Sequence, residues 1–225
     1  MCRMTNSESE RYLQPSKLCD FDRSPEIRAR ALQISGPHTV GEEAFRRVFA
    51  FVKELPYSLE DWDVPASRTL AEGRGMCSGK ANLLVALLRS LGIPARYRVY
   101  RIRGEASLWG KVTGEEDLAR RMGDAPAEQD HVDCEVWLGG WTACDPSRDT
   151  PLERGMKALG IPLERDAVVD SSGRVPYLVF AVFDDWARDR QARRRFRDDR
   201  REVFARVNEQ LERLRSIGGN GPVSR

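Results

Sequence analysis

From Cys77 to Leu91 the chain reads CSGKANLLVALLRSL, and Gly92-Ile93-Pro94 follows at once. Ala and Leu dominate this stretch. It is a helix that must be buried on most sides, ended by the glycine and proline behind it. The rest of the chain must supply the surfaces that cover it. With 225 residues, 40% hydrophobic and 32% charged, it is long enough for one globular domain with a sizeable core, or one domain plus an appendage. The longest apolar run, Tyr177 to Phe183, is too short to cross a bilayer, and Met1 to Ser7 lack the apolar segment of a signal peptide. Lys and Arg total 37 against 35 for Asp and Glu, a net charge of +2. This balance points neither to nucleic acid nor to a membrane surface.

Five cysteines (Cys2, Cys19, Cys77, Cys134, Cys144) are odd in number and never spaced C-x-x-C. Free thiols in a reduced cytoplasm are expected. The two histidines, His38 and His131, are too few for a histidine-rich metal site, and any Cys–His chemistry has to use one of them. His38, beside Pro37 in a turn-like segment, reads as structural.

Three parts are expected: an N-terminal arm over 1–40 with a short helix near Glu26 to Ile34, a main domain over 41–183, and a charged C-terminal helix and tail over 184–225. Phe45, Val48, Phe49, Val52 and Leu55 recur at helical spacing. Ser67 reads as the cap of a short turn. Ala95 to Arg103 alternates as a strand, Thr113-Gly114-Glu115-Glu116 suggests a helix over Gly114 to Met122, and His131 to Leu138 and Trp141 to Asp145 read as a hairpin. From Pro146 the chain reads as loop until a strand at Tyr177 to Phe183. In the tail, Phe204, Val207, Leu211 and Leu214 form one stripe. Arginines and acidic residues interleave there as ion pairs on a solvated face, so the helix docks on the core or on a second copy.

Cys77 stands at the first turn of the buried helix, behind a glycine-rich break. Unpaired N–H groups and the positive dipole end favour a thiolate with a lowered pKa, and the same N–H groups suit an oxyanion. Gly75, Ser78 and Gly79 would leave the approach open. Free cysteines are otherwise usually small buried hydrophobes, so His131 carries the argument further. For His131 and Asp145 to meet, they must share a sheet face. A two-residue Gly139-Gly140 turn pairs Cys134 with Asp145 and puts Asp145 on the wrong face. A three-residue loop, Leu138-Gly139-Gly140, pairs Trp137 with Trp141 and Asp133 with Asp145, placing His131, Asp133, Glu135, Trp141, Ala143 and Asp145 together. Gly140 would be its left-handed residue. Chemistry selects the second register. It also puts Asp133 across from Asp145, which is unfavourable unless one is protonated or paired. Cys134 and Cys144 then face away from the site, and Glu135, beside arginines such as Arg98, reads as structural.

GRGMCSGKANLLVALLRSLGIPARYR resembles the nucleophile helix and following strand of transglutaminase-like (papain-related) cysteine enzymes. HVDCEVWLGGWTACDPS resembles their histidine and aspartate strands, and FAFVKELPYSLEDW their preceding helix and tyrosine-bearing loop. The likeness spans roughly Gly41 to Asp149. Asp133 stands where the family commonly has an aromatic, and the hairpin is one residue tighter than its common form. The resemblance implies an α+β fold, with the nucleophile helix packed on an antiparallel sheet, here with an arginine-rich C-terminal helix added. It implies acyl-enzyme chemistry at an amide bond: hydrolysis of a peptide, isopeptide or small amide, or transamidation, with no metal and no cofactor. Cys77 would be the nucleophile, His131 the acid–base group and Asp145 its orienter. The Cys77 backbone N–H would serve the oxyanion, with the Trp62 indole as a second donor. The expected partner is a peptide, protein or small amide substrate; neither membrane nor nucleic acid is expected, and self-association through the C-terminal helix is open. The rival reading is an inactive binding or scaffold module of the same fold.

Overall fold

The computed structural model describes residues 6–36, 39–103, 128–193 and 200–219. His38 and the helix expected over Gly114 to Met122 lie outside them. The elements run α1 (Asn6–Arg11), α2 (Pro25–Ser35), α3 (Gly41–Glu54), α4 (Ala66–Glu72), α5 (Cys77–Ser90), β1 (Ala95–Arg103), β2 (Glu128–Trp137), β3 (Trp141–Cys144), α6 (Thr150–Ala158), β4 (Leu178–Phe180), α7 (Asp184–Ala192) and α8 (Arg200–Gly219). The strands form one antiparallel sheet in the order β3-β2-β1-β4. This is the α+β arrangement expected, with helix α5 on the sheet.

All 14 residues of α5 are buried. One side meets Tyr97, Val99, Val132, Cys134 and Val136 of the sheet, and Ile27, Ala31, Val48 and Val52 of α2 and α3 complete the same core. Each buried Leu there contributes about 2 kcal/mol of transfer free energy. Its two cations are buried as well, and carbonyl oxygens satisfy both. Lys80 Nζ donates to the carbonyls of Lys53 (3.1 Å), Leu55 (2.6 Å) and Ser147 (3.0 Å). The Arg89 guanidinium donates to Gln14, Ala95 and Ala181. The central helix thus ties down the arm, the end of α3, the end of β4 and the loop behind β3.

The hairpin takes the three-residue register: Trp137 pairs with Trp141 and Cys134 with Cys144. Leu138 N–H closes it on the Gly140 carbonyl. The positive φ falls on Gly139 (86°) rather than on Gly140. Cys134 and Cys144 lie on the packed face. Cys19, Cys77, Cys134 and Cys144 are all free thiols.

Residues 150–158, expected as loop, form α6. Asp149 caps it by accepting the Leu152 N–H, and Pro151 occupies its first turn. The D-T-P-L-E string carried that signal. The C-terminal stripe packs on α6: Val203, Val207, Leu211 and Leu214 join Leu152, Met156 and Ile161. Val203 takes the place given to Phe204, which is only half-buried. Among the described residues, no helix is long and apolar enough to cross a membrane.

Candidate active site

Alternation along β2 puts Val132, Cys134 and Val136 against α5, and His131, Asp133 and Glu135 on the opposite face. Directly across on β1 stand Tyr100, Arg98 and Arg96. Each acid has its own arginine. Arg98 grips Asp133 through Nε (2.8 Å) and a terminal nitrogen (2.6 Å), and Arg96 Nε bonds Glu135 at 2.6 Å. The crowding expected between Asp133 and Asp145 is met by pairing. Burial pushes Asp133 up to about 6 even so, against the opposing pull of Arg98.

His131 is 3% exposed. Its Nε2 lies 3.0 Å from Asp145 Oδ2, so with Nε2 as the donor, Nδ1 is left as the basic nitrogen. Tyr100 stands edge-on to the imidazole at 5.2 Å. Asp145 also accepts Arg165 Nε on Oδ2 (2.9 Å) and the Ser147 N–H on Oδ1 (2.9 Å). Burial alone would raise the Asp145 carboxyl; His131, Arg165 and Ser147 together hold it well below the usual carboxylate range. Burial also lowers the imidazole pKa, with Asp145 pulling the other way.

Cys77, at the start of α5, lies close to β2 at Val132. β3 ends at Cys144, opposite Cys134, and beyond that point the Val132 N–H and the Arg165 and Asp145 charges act on the Cys77 sulfur. The thiol therefore rests against the residue that follows His131. One expectation fails here. Cys77 is 5% exposed, and burial pushes its thiol up to about 11; the N–H groups of Val132 and Ser78 and the Arg165 charge only partly offset this. The helix terminus favours a thiolate, but desolvation is the larger effect.

The space at Gly75 and Gly79, expected to admit substrate, is filled from within. A Cβ on Gly79 would overlap the Glu60 carboxylate and the Thr69 hydroxyl, and one on Gly75 would crowd the same two side chains. Glu60 accepts the Met76 N–H at 2.9 Å, just ahead of α5, and burial raises its pKa to about 7. Trp62 is buried, its ring edge-on to Trp186 at 5.5 Å and beneath the Arg190 guanidinium at 5.4 Å. These are packing contacts against α7.

The core model of the transglutaminase-like superfamily matches residues 28–146, more than half of the chain, and the span holds Cys77, His131 and Asp145. The chain belongs to the transglutaminase-like superfamily. An uncharacterized protein of Mycobacterium leprae (strain TN) is 28% identical over 92 residues, 41% of this chain and 29% of that protein. A candidate cysteine protease from Cytophaga hutchinsonii is 20% identical at a TM-score of 0.47, over 79% of this chain and 52% of that one. Red sea bream transglutaminase is 15% identical at a TM-score of 0.37, over 68% and 34%. The matches thus span between under a third and about half of these relatives' own lengths.

Several residues around Cys77, His131 and Asp145 carry no mark in the sequence. Arg165, 20 positions beyond Asp145, has no local motif to mark it. Lys80 and Ser147 lie within quoted segments but differ from their neighbours only through long-range contacts. Among the described residues, no cluster of His, Cys, Asp and Glu is arranged to hold a metal ion.

Proposed function

We propose that this transglutaminase-like chain performs cysteine-dependent acyl transfer at an amide bond. The single observation carrying this reading is the His131 Nε2–Asp145 Oδ2 contact at 3.0 Å, on a strand whose next residue, Val132, presents its N–H to the electrostatic surroundings of the Cys77 sulfur. The thiol proton passes to His131 Nδ1 as the sulfur adds to the amide carbonyl. His131 then returns that proton to the amine as the C–N bond breaks, leaving a thioester on Cys77. Water or a second amine attacks the thioester, its proton goes to the imidazole, and the thiol is restored. Asp145 fixes the tautomer and stabilises the imidazolium. N–H groups at the start of α5 are suited to the oxyanion.

Because thiol and imidazole are both neutral at rest, proton transfer accompanies attack in this scheme. No standing ion pair precedes it. That burial favours a second reading: a non-catalytic module that keeps the fold as a binding scaffold.

A panel of peptide amides with a labelled amine, followed by mass spectrometry, separates the two. A substrate-derived mass on Cys77, absent from Cys77→Ala, supports the enzyme. The released acid or labelled amide tells hydrolysis from transfer. If neither adduct nor product forms across the panel while the peptides still bind, the scaffold reading replaces it.

A further inference from the structure

Beside Asp145 and Arg165 opens a cleft of about 470 Å³, with Tyr100 and Ser147 also in its wall. That is in the range of small-molecule and short-peptide sites. Six charged residues line it, and four are matched: Lys53 Nζ lies 2.5 Å from Glu153 Oε1, and Arg165 Nε 2.9 Å from Asp145 Oδ2. Glu164 is exposed on the rim.

Arg148 is different. It is half-buried in the cleft wall, three residues beyond Asp145, and one terminal nitrogen donates to the Leu163 carbonyl at 2.7 Å. Among the described residues no carboxylate lies within ion-pair distance of it. Burial and the neighbouring Arg165 charge lower its pKa, and the more distant Asp145 and Glu153 charges offset this only in part. Its charge also acts on His131, so an anion held there would lie within electrostatic range of the imidazole. A planar fork with free N–H groups in a partly dry wall suits a carboxylate.

We infer that Arg148 receives a carboxylate carried by the substrate, so that the cleft selects peptides or small amides bearing an acidic group close to the amide attacked. The inference rests on the acyl-transfer reading for its meaning, but binding tests it independently of turnover. The 225-residue Cys77→Ala chain, with and without Arg148→Gln, is titrated with two probe pairs. Acetyl-dialanine with a free carboxylate against its carboxamide reads a chain terminus. Acetyl-Asp-Ala-amide against acetyl-Asn-Ala-amide reads an acidic side chain.

One charge-assisted contact predicts at least about tenfold tighter binding of the acid in one pair, falling to near parity in Arg148→Gln. Arg148→Lys, which keeps the charge but not the fork, should fall between, and it serves as the readout if Arg148→Gln fails to fold. Equal binding of acid and neutral probes in both pairs, or a preference that survives at full size in the Arg148 variants, overturns the inference. If the preference follows Arg148 but the intact protein forms no thioester with acidic amides, the cleft stands and the acyl-transfer reading falls.

Discussion

Cys77 and His131 share one environment, and burial pushes their pKa values in opposite directions: the thiol up to about 11 and the imidazole down. Two measurable consequences follow. Alkylation of Cys77 by iodoacetamide should keep rising with pH through neutrality, by about tenfold per unit. A plateau near pH 7 would instead mark a standing thiolate–imidazolium pair. In turnover, His131 must be neutral to accept the thiol proton, and a lowered pKa keeps it neutral further into acid. The acid limb of kcat/KM should therefore lie below the ordinary imidazole value of 6.5; a limb above it refutes the burial argument. Glu60 shows the linkage from the other side. Its pKa rises from 4.5 to about 7 on folding, so the folded state binds the extra proton, and the stability this gives is present below 4.5 and lost as pH rises through 7. Glu60→Gln mimics the protonated form and can still accept the Met76 N–H. Its melting temperature should match wild type near pH 4 and exceed it near pH 8, a gap of roughly 1–3 kcal/mol; a gap independent of pH would remove the explanation.

Helices α6 and α8 meet closely because each supplies a glycine at the crossing. A Cβ on Gly155 would overlap the Leu214 carbonyl, and one on Gly218 the Pro151 carbonyl. Gly155→Ala should therefore destabilise by roughly 1–3 kcal/mol through overpacking, whereas Gly160→Ala, where a Cβ would meet nothing within 4 Å, carries only the strain of a positive φ. Melting curves of the pair decide this. The same two helices are locked by Arg215, which grips both carboxylate oxygens of Asp149 (3.0 and 2.8 Å) and also donates to the Tyr57 carbonyl. Asp149 in turn accepts the Tyr57 N–H at 2.8 Å. Removing one partner of a buried pair costs about 3–5 kcal/mol, and removing both costs less than the sum. Arg215→Met should accordingly be more damaging than Asp149→Asn/Arg215→Met together. Denaturant titrations showing simple additivity would contradict this. The apolar stripe of α8, read from sequence as a docking face, finds its cover in α6 of the same chain.

At the scale of the molecule, α5 is the hub. Arg89 reaches the arm at Gln14 and the end of β4 at Ala181, Lys80 reaches the loop behind the hairpin at Ser147, and Ile27 and Ala31 of α2 lie in the same core at 0% exposed. Deleting residues 1–36 would uncover that face of α5 and orphan part of the Arg89 guanidinium. The truncated chain should lose its cooperative thermal transition; a transition of wild-type sharpness would make the arm dispensable. Much of this plan was written locally. The unbroken apolar run of α5 admits one environment only. The Gly139-Gly140 hairpin, constrained to put His131 and Asp145 on one face, gives the Trp137–Trp141 register, and strand alternation sends Cys134 and Cys144 inward. Such features follow from periodicity and chain stiffness, which act over a few residues. Tertiary structure alone decided that burial raises the Cys77 thiol pKa, that Arg165 braces Asp145, that Glu60 and Thr69 fill the space at Gly75 and Gly79, and that Arg148 stands in the cleft wall with no carboxylate at ion-pair distance among the described residues. Each of these is an electrostatic or packing consequence of groups far apart in sequence, and solvation changes with burial that no local string encodes.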